Sequence, residues 1–340
     1  ANMSIYDQIS ISVASEEESR SVARSLARCH QVTPVTILLS GDLGAGKTTF
    51  TQAFAQEKGI QTRISSPTFA LEQRLGEITH IDLYRLSREQ ADNFLWQSDW
   101  HEGIRIIEWP ERLSEGMLKD EPTIHIHIEE TSQCGRTYHI TWNDIPIPNE
   151  ETITRWTEEV CLPTHIQAHM AVVANVADQC AETLINKKIL IRRTALNAAS
   201  LLHDLLRFVD FKPSQNPAYT PSAQEEHVWQ SYSTQYPSHT HERAAAAFLS
   251  ERGFQAIGDI IATHGYPHSP ASLPKTTEQK VLAYSDKRVR FETIVSVEER
   301  FDDLRKRYGD GSRESAAFTS WKQSMLQIEQ ELFGGDPLLP

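Results

Sequence analysis

The chain has 340 residues, of which 39% are hydrophobic and 23% charged; this is the composition of a soluble globular protein and too long for one ordinary core. Its 33 basic and 46 acidic side chains give a formal charge of −13. That excludes nucleic-acid binding through the average field and leaves any RNA contact to a local patch or a basic partner.

Residues 15–29 read as a helix. Ser15 is suited to its N-cap, Glu16, Glu17 and Glu18 suit its positive start, and Val22, Leu26 and Cys29 form one stripe. The apolar run 35–39 reads as a buried strand, followed by a glycine loop and a helix over 47–58 that ends at Gly59. Strands are expected at 78–81, 104–107, 123–128 and 137–142, which with the helices predicts an α/β domain. Residues 143–149 carry Asp144, Pro146 and Pro148 and are expected to be the linker, with a first domain over 1–148 and a second, all-α domain over 149–340. The segment 334–337 reads as a frayed tail. The cysteines Cys29, Cys134, Cys161 and Cys180 form no CxxC pair, so free thiols in a reducing compartment are expected. No apolar run approaches the roughly 20 residues of a bilayer span, and the start lacks the basic-then-apolar order of a secretory signal. A cytoplasmic location and no membrane partner are therefore expected.

Residues Gly41-Asp42-Leu43-Gly44-Ala45-Gly46-Lys47-Thr48 match G-x-x-x-x-G-K-[ST] between a buried strand and a helix. Glycines let successive N–H groups face one concavity, and the helix start adds positive charge. Lys47 is placed to reach the β- and γ-phosphates of ATP, the Thr48 hydroxyl to ligate Mg²⁺, and Thr49 continues the binding turn. Asp82 and Glu108 end two strand candidates, where an open α/β sheet gathers its ligand site; they are candidates for Mg²⁺ coordination and for orienting the attacking water.

Four segments, GDLGAGKTTF (41–50), SSPTF (65–69), HIDLYRL (80–86) and IIEWPE (106–111), together resemble the TsaE family, the small ATPase needed for threonylcarbamoyladenosine formation in tRNA. The resemblance covers roughly residues 5–145. It implies that Ser66, Pro67 and Thr68 form a loop beside the γ-phosphate, that Asp82 lies on the Mg²⁺ side, and that Glu108 is needed for hydrolysis. It also implies that Trp109 lies beside the nucleotide, whereas composition alone would place Trp109 in the core. Its implied partners are TsaB- and TsaD-like proteins, with tRNA engaged only indirectly. A small-molecule kinase is the alternative for the loop taken alone, and the other three segments weigh against it.

The second half carries a different series: His169 on a helical stripe with Val173, Val176, Cys180 and Leu184; His203-Asp204 near the end of an apolar helix over 196–206; His241 opening a helix; His264 before Gly265; and Asp286 within a helix from 278 onward. Imidazole and carboxylate donors suit divalent Mn, Fe, Co or Ni. The order H…HD…H…H…D resembles the HD phosphohydrolase superfamily over about residues 155–300. That resemblance implies His169, His203, Asp204 and Asp286 as ligands of one metal. His241 and His264 then belong to a two-metal branch in which Asp204 bridges both ions. Arg207 stands where many members carry small and lysine residues, and it is expected to contact phosphate; Lys287 and Arg288 are further candidates. The stretch between Asp204 and His241, with Pro213, Pro217 and Pro221, reads as a long loop, a lid or substrate wall.

The expected protein is thus bifunctional: an ATP hydrolase supporting tRNA threonylcarbamoyladenosine synthesis, and a metal-dependent phosphohydrolase acting on a phosphate ester, expected to be a nucleotide. The alternative for the second half is a non-catalytic module sensing metal or nucleotide.

Overall fold

The computed structural model describes residues 4–64, 71–131, 134–210, 219–308 and 315–338. It divides the chain into two compact units, one of residues 6–145 with 185–192, the other of residues 1–5, 146–184 and 193–340. The first is a sheet unit and the second a helical one. The short strand β1 (Ser4–Ile5) belongs to the helical unit and the sheet unit begins with β2 (Gln8–Val13). There follow α1 (Glu16–Arg28), β3 (Val35–Ser40), α2 (Lys47–Glu57), β4 (Glu72–Leu75), β5 (Ile78–Asp82), α3 (Arg88–Trp96), β6 (Ile104–Glu108), β7 (Thr123–Glu130) and β8 (Arg136–Asn143).

Seven strands form one sheet in the order β2-β8-β7-β3-β6-β5-β4. Strand β3 runs parallel to both β6 and β7, and β5 parallel to β6; the outer pairs are antiparallel. Central β3 is buried along nearly its whole length, as expected of a parallel strand covered on both faces. Ser15 caps α1 by accepting the Glu18 N–H, and the expected stripe of Val22, Leu26 and Cys29 is buried. Strand candidates come out one or two residues longer than the sequence suggests. Strands β2 and β4 and the helix α3 were not among those expected, although α3 starts from a full capping box between Ser87 and Gln90.

The stretch expected as a linker is ordered. Asp144 is buried and accepts a bidentate ion pair from Arg192, at 2.8 and 2.5 Å. Leu190 joins the apolar core of the sheet, so residues 185–192 return to the sheet unit although they lie well inside the sequence's second half. The side chains of Arg192 and Asp144 are 1% and 0% exposed. Arg192→Ala should therefore destabilise the protein by about 3–5 kcal/mol, because it leaves a buried carboxylate without its counter-charge. Urea denaturation of the variant checks this; a loss below about 1 kcal/mol would contradict it.

In the helical unit β9 (Ile147–Pro148) pairs antiparallel with β1. Asn149 then caps α4 (Glu150–Glu159) by accepting the Thr152 N–H. The chain continues through α5 (Thr164–Asn186), α6 (Arg193–Ser200), α7 (Ala223–Gln235), α8 (His241–Glu251), α9 (Gln255–Ile261), α10 (Thr277–Asp286), a strand pair β10 (Val289–Arg290) and β11 (Thr293–Ile294), α11 (Val297–Tyr308) and α12 (Ala316–Phe333). The all-α expectation is corrected by these two small strand pairs. Helix α10 is buried on almost every side and packs against α6, α9 and α12, which makes it the hub of the unit.

Two further expectations change. The stretch before His241 contains α7, started by a Ser222–Glu225 capping box and anchored where Trp229 stacks on Phe208 at 5.2 Å and 11°; Pro213 and Pro217 lie outside the described residues. The tail is tied down rather than frayed, because Arg288 Nη1 donates to Asp336 Oδ1 at 2.6 Å. All four cysteines are free thiols. Among the described residues, no helix is long and apolar enough to cross a membrane.

Candidate functional sites in the two units

In the sheet unit the glycine loop leaves the C-terminal end of β3, and the register sets Asp82 directly opposite Glu108 at the ends of the neighbouring strands β5 and β6. Gly41, Gly44 and Gly46 take φ of 139°, 86° and 106°, a region that disfavours side chains. At Gly41 a Cβ would also lie 2.5 Å from the Ile128 carbonyl oxygen. Lys47 Nζ donates to the Gly41 and Asp42 carbonyls at 2.7 and 2.9 Å and lies 3.9 Å from the centre of the Trp109 ring. Burial pulls its pKa below the ordinary lysine value against the opposing pull of Glu108, Glu111, Asp82 and Asp42.

Glu108 is almost wholly buried, and two groups hold it: the Thr48 hydroxyl donates to Oε1 at 3.2 Å, and the fully buried His80 Nε2 lies 3.0 Å from the same oxygen. A carboxylate only accepts, so His80 Nε2 carries the proton. Asp82 Oδ1 accepts the Tyr84 N–H at 2.9 Å. Trp109 sits at φ 62° directly after β6, half-buried against the apolar cluster that includes Leu38, Ile81 and Ile107, with its ring 4.8 Å from that of Tyr84. Thr49, with Gly44, Ala45 and Gly46, lines a cavity of about 260 Å³ shared with Arg136 and Tyr138. Arg136 Nε donates to the Ala45 carbonyl at 3.0 Å. Ser66, Pro67 and Thr68 lie outside the described residues. Positive-φ glycines, a lysine at the helix start, the Thr48 hydroxyl on the same helix and the carboxylates of Asp82 and Glu108 on adjoining strand ends together fit a triphosphate with Mg²⁺.

The second constellation lies wholly in the helical unit. Helix α6 stops at Ser200, so His203 and Asp204 stand on the turns beyond it and not on a helix extending to 206. The break has a use, since the freed Ser200 carbonyl accepts from His203 Nδ1 at 2.8 Å. His264, likewise beyond the end of α9, places Nδ1 2.7 Å from the Ile261 carbonyl. His169 on α5 places Nδ1 2.7 Å from the Phe291 carbonyl. His241, the first residue of α8, has Nδ1 2.8 Å from Asp210 Oδ2, with Arg207 Nη1 also 2.8 Å away. Three of these acceptors are backbone carbonyls, so those Nδ1 atoms carry the proton, which leaves Nε2 as the nitrogen that would face an ion once the ring is neutral.

The Nε2 atoms converge. His169 Nε2 is 3.2 Å and His203 Nε2 3.6 Å from Asp286 Oδ1. Asp204 Oδ2 is 3.7 Å from His203 Nε2, while its Oδ1 is 3.2 Å from His241 Nε2 and 3.6 Å from His264 Nε2. His203 Nε2 is buried without a hydrogen-bond partner. Two ligand triplets, His169-His203-Asp286 and His203-Asp204-His264, each have their donor atoms within 4.8 Å of one another. A buried imidazole nitrogen left unpaired among inward-facing donors is costly unless a cation takes it, and the nitrogen and oxygen donors fit a first-row divalent ion.

Burial works against charge on His203, yet Asp204 and Asp286 outweigh it and raise its pKa. Burial and Arg207 oppose charge on His241, and Asp204 and Asp210 still lift it to about 9. His264 is lowered, chiefly by burial. Burial disfavours ionised Asp204 and Asp286, but Asp204 is held well below the usual carboxylate range by His203, His241 and His264, and Asp286 by Lys287, His169 and His203. Both acids are therefore ionised at neutral pH.

Reading the residues as a sequence missed Asp210, His80 and Arg136. Each acts by reaching a neighbour far along the chain, and no local pattern marks it. Asp210 orients a proposed ligand through that ligand's far nitrogen. Asp210→Ala should weaken divalent-metal affinity by about 10–100-fold, as losses of such partners generally do. Titration calorimetry with Mn²⁺ checks it, and unchanged affinity would rule out the orienting role.

Comparison with known proteins bears on the sheet unit. A family profile described as "Threonylcarbamoyl adenosine biosynthesis protein TsaE" matches residues 13–138. The tRNA threonylcarbamoyladenosine biosynthesis protein TsaE of Bacillus subtilis is 33% identical over 114 residues, covering 32% of this chain and 72% of that protein. The protein of the same name from Aquifex aeolicus is 38% identical over 104 residues, covering 29% and 74%. For that of Synechocystis the identity is 45% over 86 residues, covering 23% and 55%. The crystal structure of Bacillus subtilis YdiB aligns with a TM-score of 0.31 at 26% identity, over 42% of this chain and 89% of that one.

Proposed function

We propose, because the chain belongs to the TsaE family through residues 13–138, that the sheet unit hydrolyses ATP in support of threonylcarbamoyladenosine synthesis in tRNA, alongside TsaB- and TsaD-like partners. The observation that carries this reading is that the Thr48 hydroxyl, at the start of α2 beside the glycine loop, donates to Glu108, which lies opposite Asp82 at the adjoining ends of the parallel strands β6 and β5. In it the loop's N–H groups and Lys47 hold the phosphates, and Trp109 walls the site. Thr48 and Asp82, with Glu108 as a further oxygen donor, would hold Mg²⁺, which would supply positive charge beside the phosphates. Glu108, fixed by His80, orients the attacking water and takes its proton. The acidic chain need not touch RNA. Labelled ATP tests this: free phosphate supports it, and transfer to an acceptor would make the unit a kinase.

For the helical unit the proposal is a metal-dependent phosphohydrolase of the HD type. It is carried by four imidazoles whose outer nitrogens are occupied while the inner ones face Asp204 and Asp286. The proposed ligands are His169, His203, Asp204 and Asp286 for one ion and His241 and His264 with Asp204 for a second. Divalent ions there supply a Lewis acid for a phosphoryl oxygen and lower the pKa of water toward neutrality. Arg207 and Lys287, on the wall of the adjoining cavity, hold the non-bridging phosphate oxygens. A panel of phosphate esters assayed with Mn²⁺, Co²⁺ or Ni²⁺ tests the reading. Metal uptake without turnover of any ester would make the unit a sensing module instead.

A further inference from the structure

Asp286 is the last residue of α10, and soon after it the chain folds back on itself in the hairpin β10–β11. Val289 pairs with Ile294 and Arg290 with Thr293, so Phe291 and Glu292 form the turn. The fold-back meets His169, whose Nε2 lies 3.2 Å from Asp286 Oδ1 and whose Nδ1 lies 2.7 Å from the Phe291 carbonyl oxygen. One short segment, 286–291, therefore grips both nitrogens of a single imidazole.

The turn reaches the ring through an unusual backbone. Phe291 has φ 57°, in the left-handed region. Tight hairpin turns that need positive φ fill the position with Gly, Asn or Asp, because a bulky side chain is strained there. Burial does not explain the phenylalanine, which is 63% exposed. Its ring lies instead against the Arg307 guanidinium, 4.3 Å from the ring centre. Arg307 Nη2 donates to Asp303 Oδ1 at 3.0 Å, and Asp303 Oδ2 accepts Arg300 Nη1 at 2.9 Å, which anchors the contact to α11. The base of the hairpin is held as firmly: the Val295 N–H donates to the Arg288 carbonyl at 2.8 Å, and Arg288 Nε donates to the Val295 carbonyl at 2.6 Å. Strain of this kind persists only where the surroundings hold it, and it clusters at functional sites.

We propose that Phe291 is a positioning residue for the metal centre: its left-handed backbone aims the carbonyl at His169 Nδ1–H and so fixes the direction in which Nε2 faces Asp286. The inference rests on the metal reading for what Nε2 holds, but not for the hydrogen bond itself. With the outer nitrogen tied to a carbonyl, the ring cannot rotate out of the cluster without breaking that bond. Outer partners of ligating histidines set metal affinity in this way.

Three substitutions separate the backbone from the ring. Phe291→Val strongly disfavours positive φ, whereas Phe291→Gly and Phe291→Asn accept it, and all three remove the ring. In titration calorimetry of the full chain with Mn²⁺, Phe291→Val should weaken affinity by about 10–100-fold, while Phe291→Gly and Phe291→Asn leave it unchanged. In a His169→Ala background Phe291→Val should cost nothing further. Nitrogen NMR of the metal-free chain, labelled in its histidines, reads the contact itself. The His169 Nδ1–H signal, identified by its loss in His169→Ala, should persist in Phe291→Gly and Phe291→Asn and vanish in Phe291→Val. Equal losses of affinity in all three variants would assign the effect to the ring, and an undiminished loss in the His169→Ala background would assign it to the fold. Either result overturns the proposal, as does a Phe291→Val chain that keeps its affinity or its signal. If no Mn²⁺ binds at these residues while the signal behaves as described, the metal reading fails and the positioning of His169 stands.

Discussion

Lys47→Ala is expected to lower ATP hydrolysis by the full chain at least about a hundredfold. The ammonium is nearly buried, fixed on two loop carbonyls and set over the Trp109 ring, so it is already in place when charge develops on the transferring phosphoryl group. Preorganised donors of this kind account for about 10²–10³ in rate. The fold should survive, because neither loop carbonyl needs this donor once water enters. Measuring released phosphate in an Asp204→Asn background removes any contribution from the second unit. An undiminished rate there would remove the ATPase assignment. Glu108→Gln should give a loss of similar size, because the amide cannot take a proton from water.

Asp204→Ala is expected to abolish phosphate-ester cleavage and to reduce Mn²⁺ affinity by more than the 10–100-fold typical of an outer partner. One of its oxygens faces His241 and His264 and the other faces His203, so a single substitution strips both proposed ion positions of their shared carboxylate. The raised histidines then lose the counter-charge that stabilises them. ATP hydrolysis by the sheet unit should be unchanged. Metal content by mass spectrometry and an ester assay check this together. A variant that retained both metal and turnover would dissolve the bridging role.

What the sequence made legible was contiguous or sat at an element's end. The phosphate loop is eight adjacent residues whose spacing the chemistry dictates, and Asp82 and Glu108 follow β-branched runs that declare where the strands stop. The histidine series was readable only as an order along the chain. Its convergence depends on α6 ending at Ser200 and α9 at Ile261, and those breaks leave carbonyls that turn His203 and His264 inward. Periodicity extends α6 six residues past Ser200, because 201–206 is largely apolar although the chain there is a run of turns. The pairs that lock the structure were invisible for a different reason. Arg192 lies 48 positions from Asp144, and Arg288 lies 48 from Asp336. Nothing local distinguishes these residues from solvated surface charges, so a buried ion pair looked like linker and an anchored end looked frayed. His80 is similar, because an imidazole in a strand becomes meaningful only once β6 is known to lie alongside β5.

The central claim is that imidazoles and carboxylates spread from His169 to Asp286 enclose one ion-binding centre. Anomalous diffraction at the manganese edge, from crystals grown with Mn²⁺, tests it most directly. One or two peaks are predicted, the first among His169, His203 and Asp286 and the second beside Asp204 and His264, both at bonding distance from Nε2 atoms. A map with no peak among these residues, or with manganese bound only elsewhere on the protein, would contradict the account.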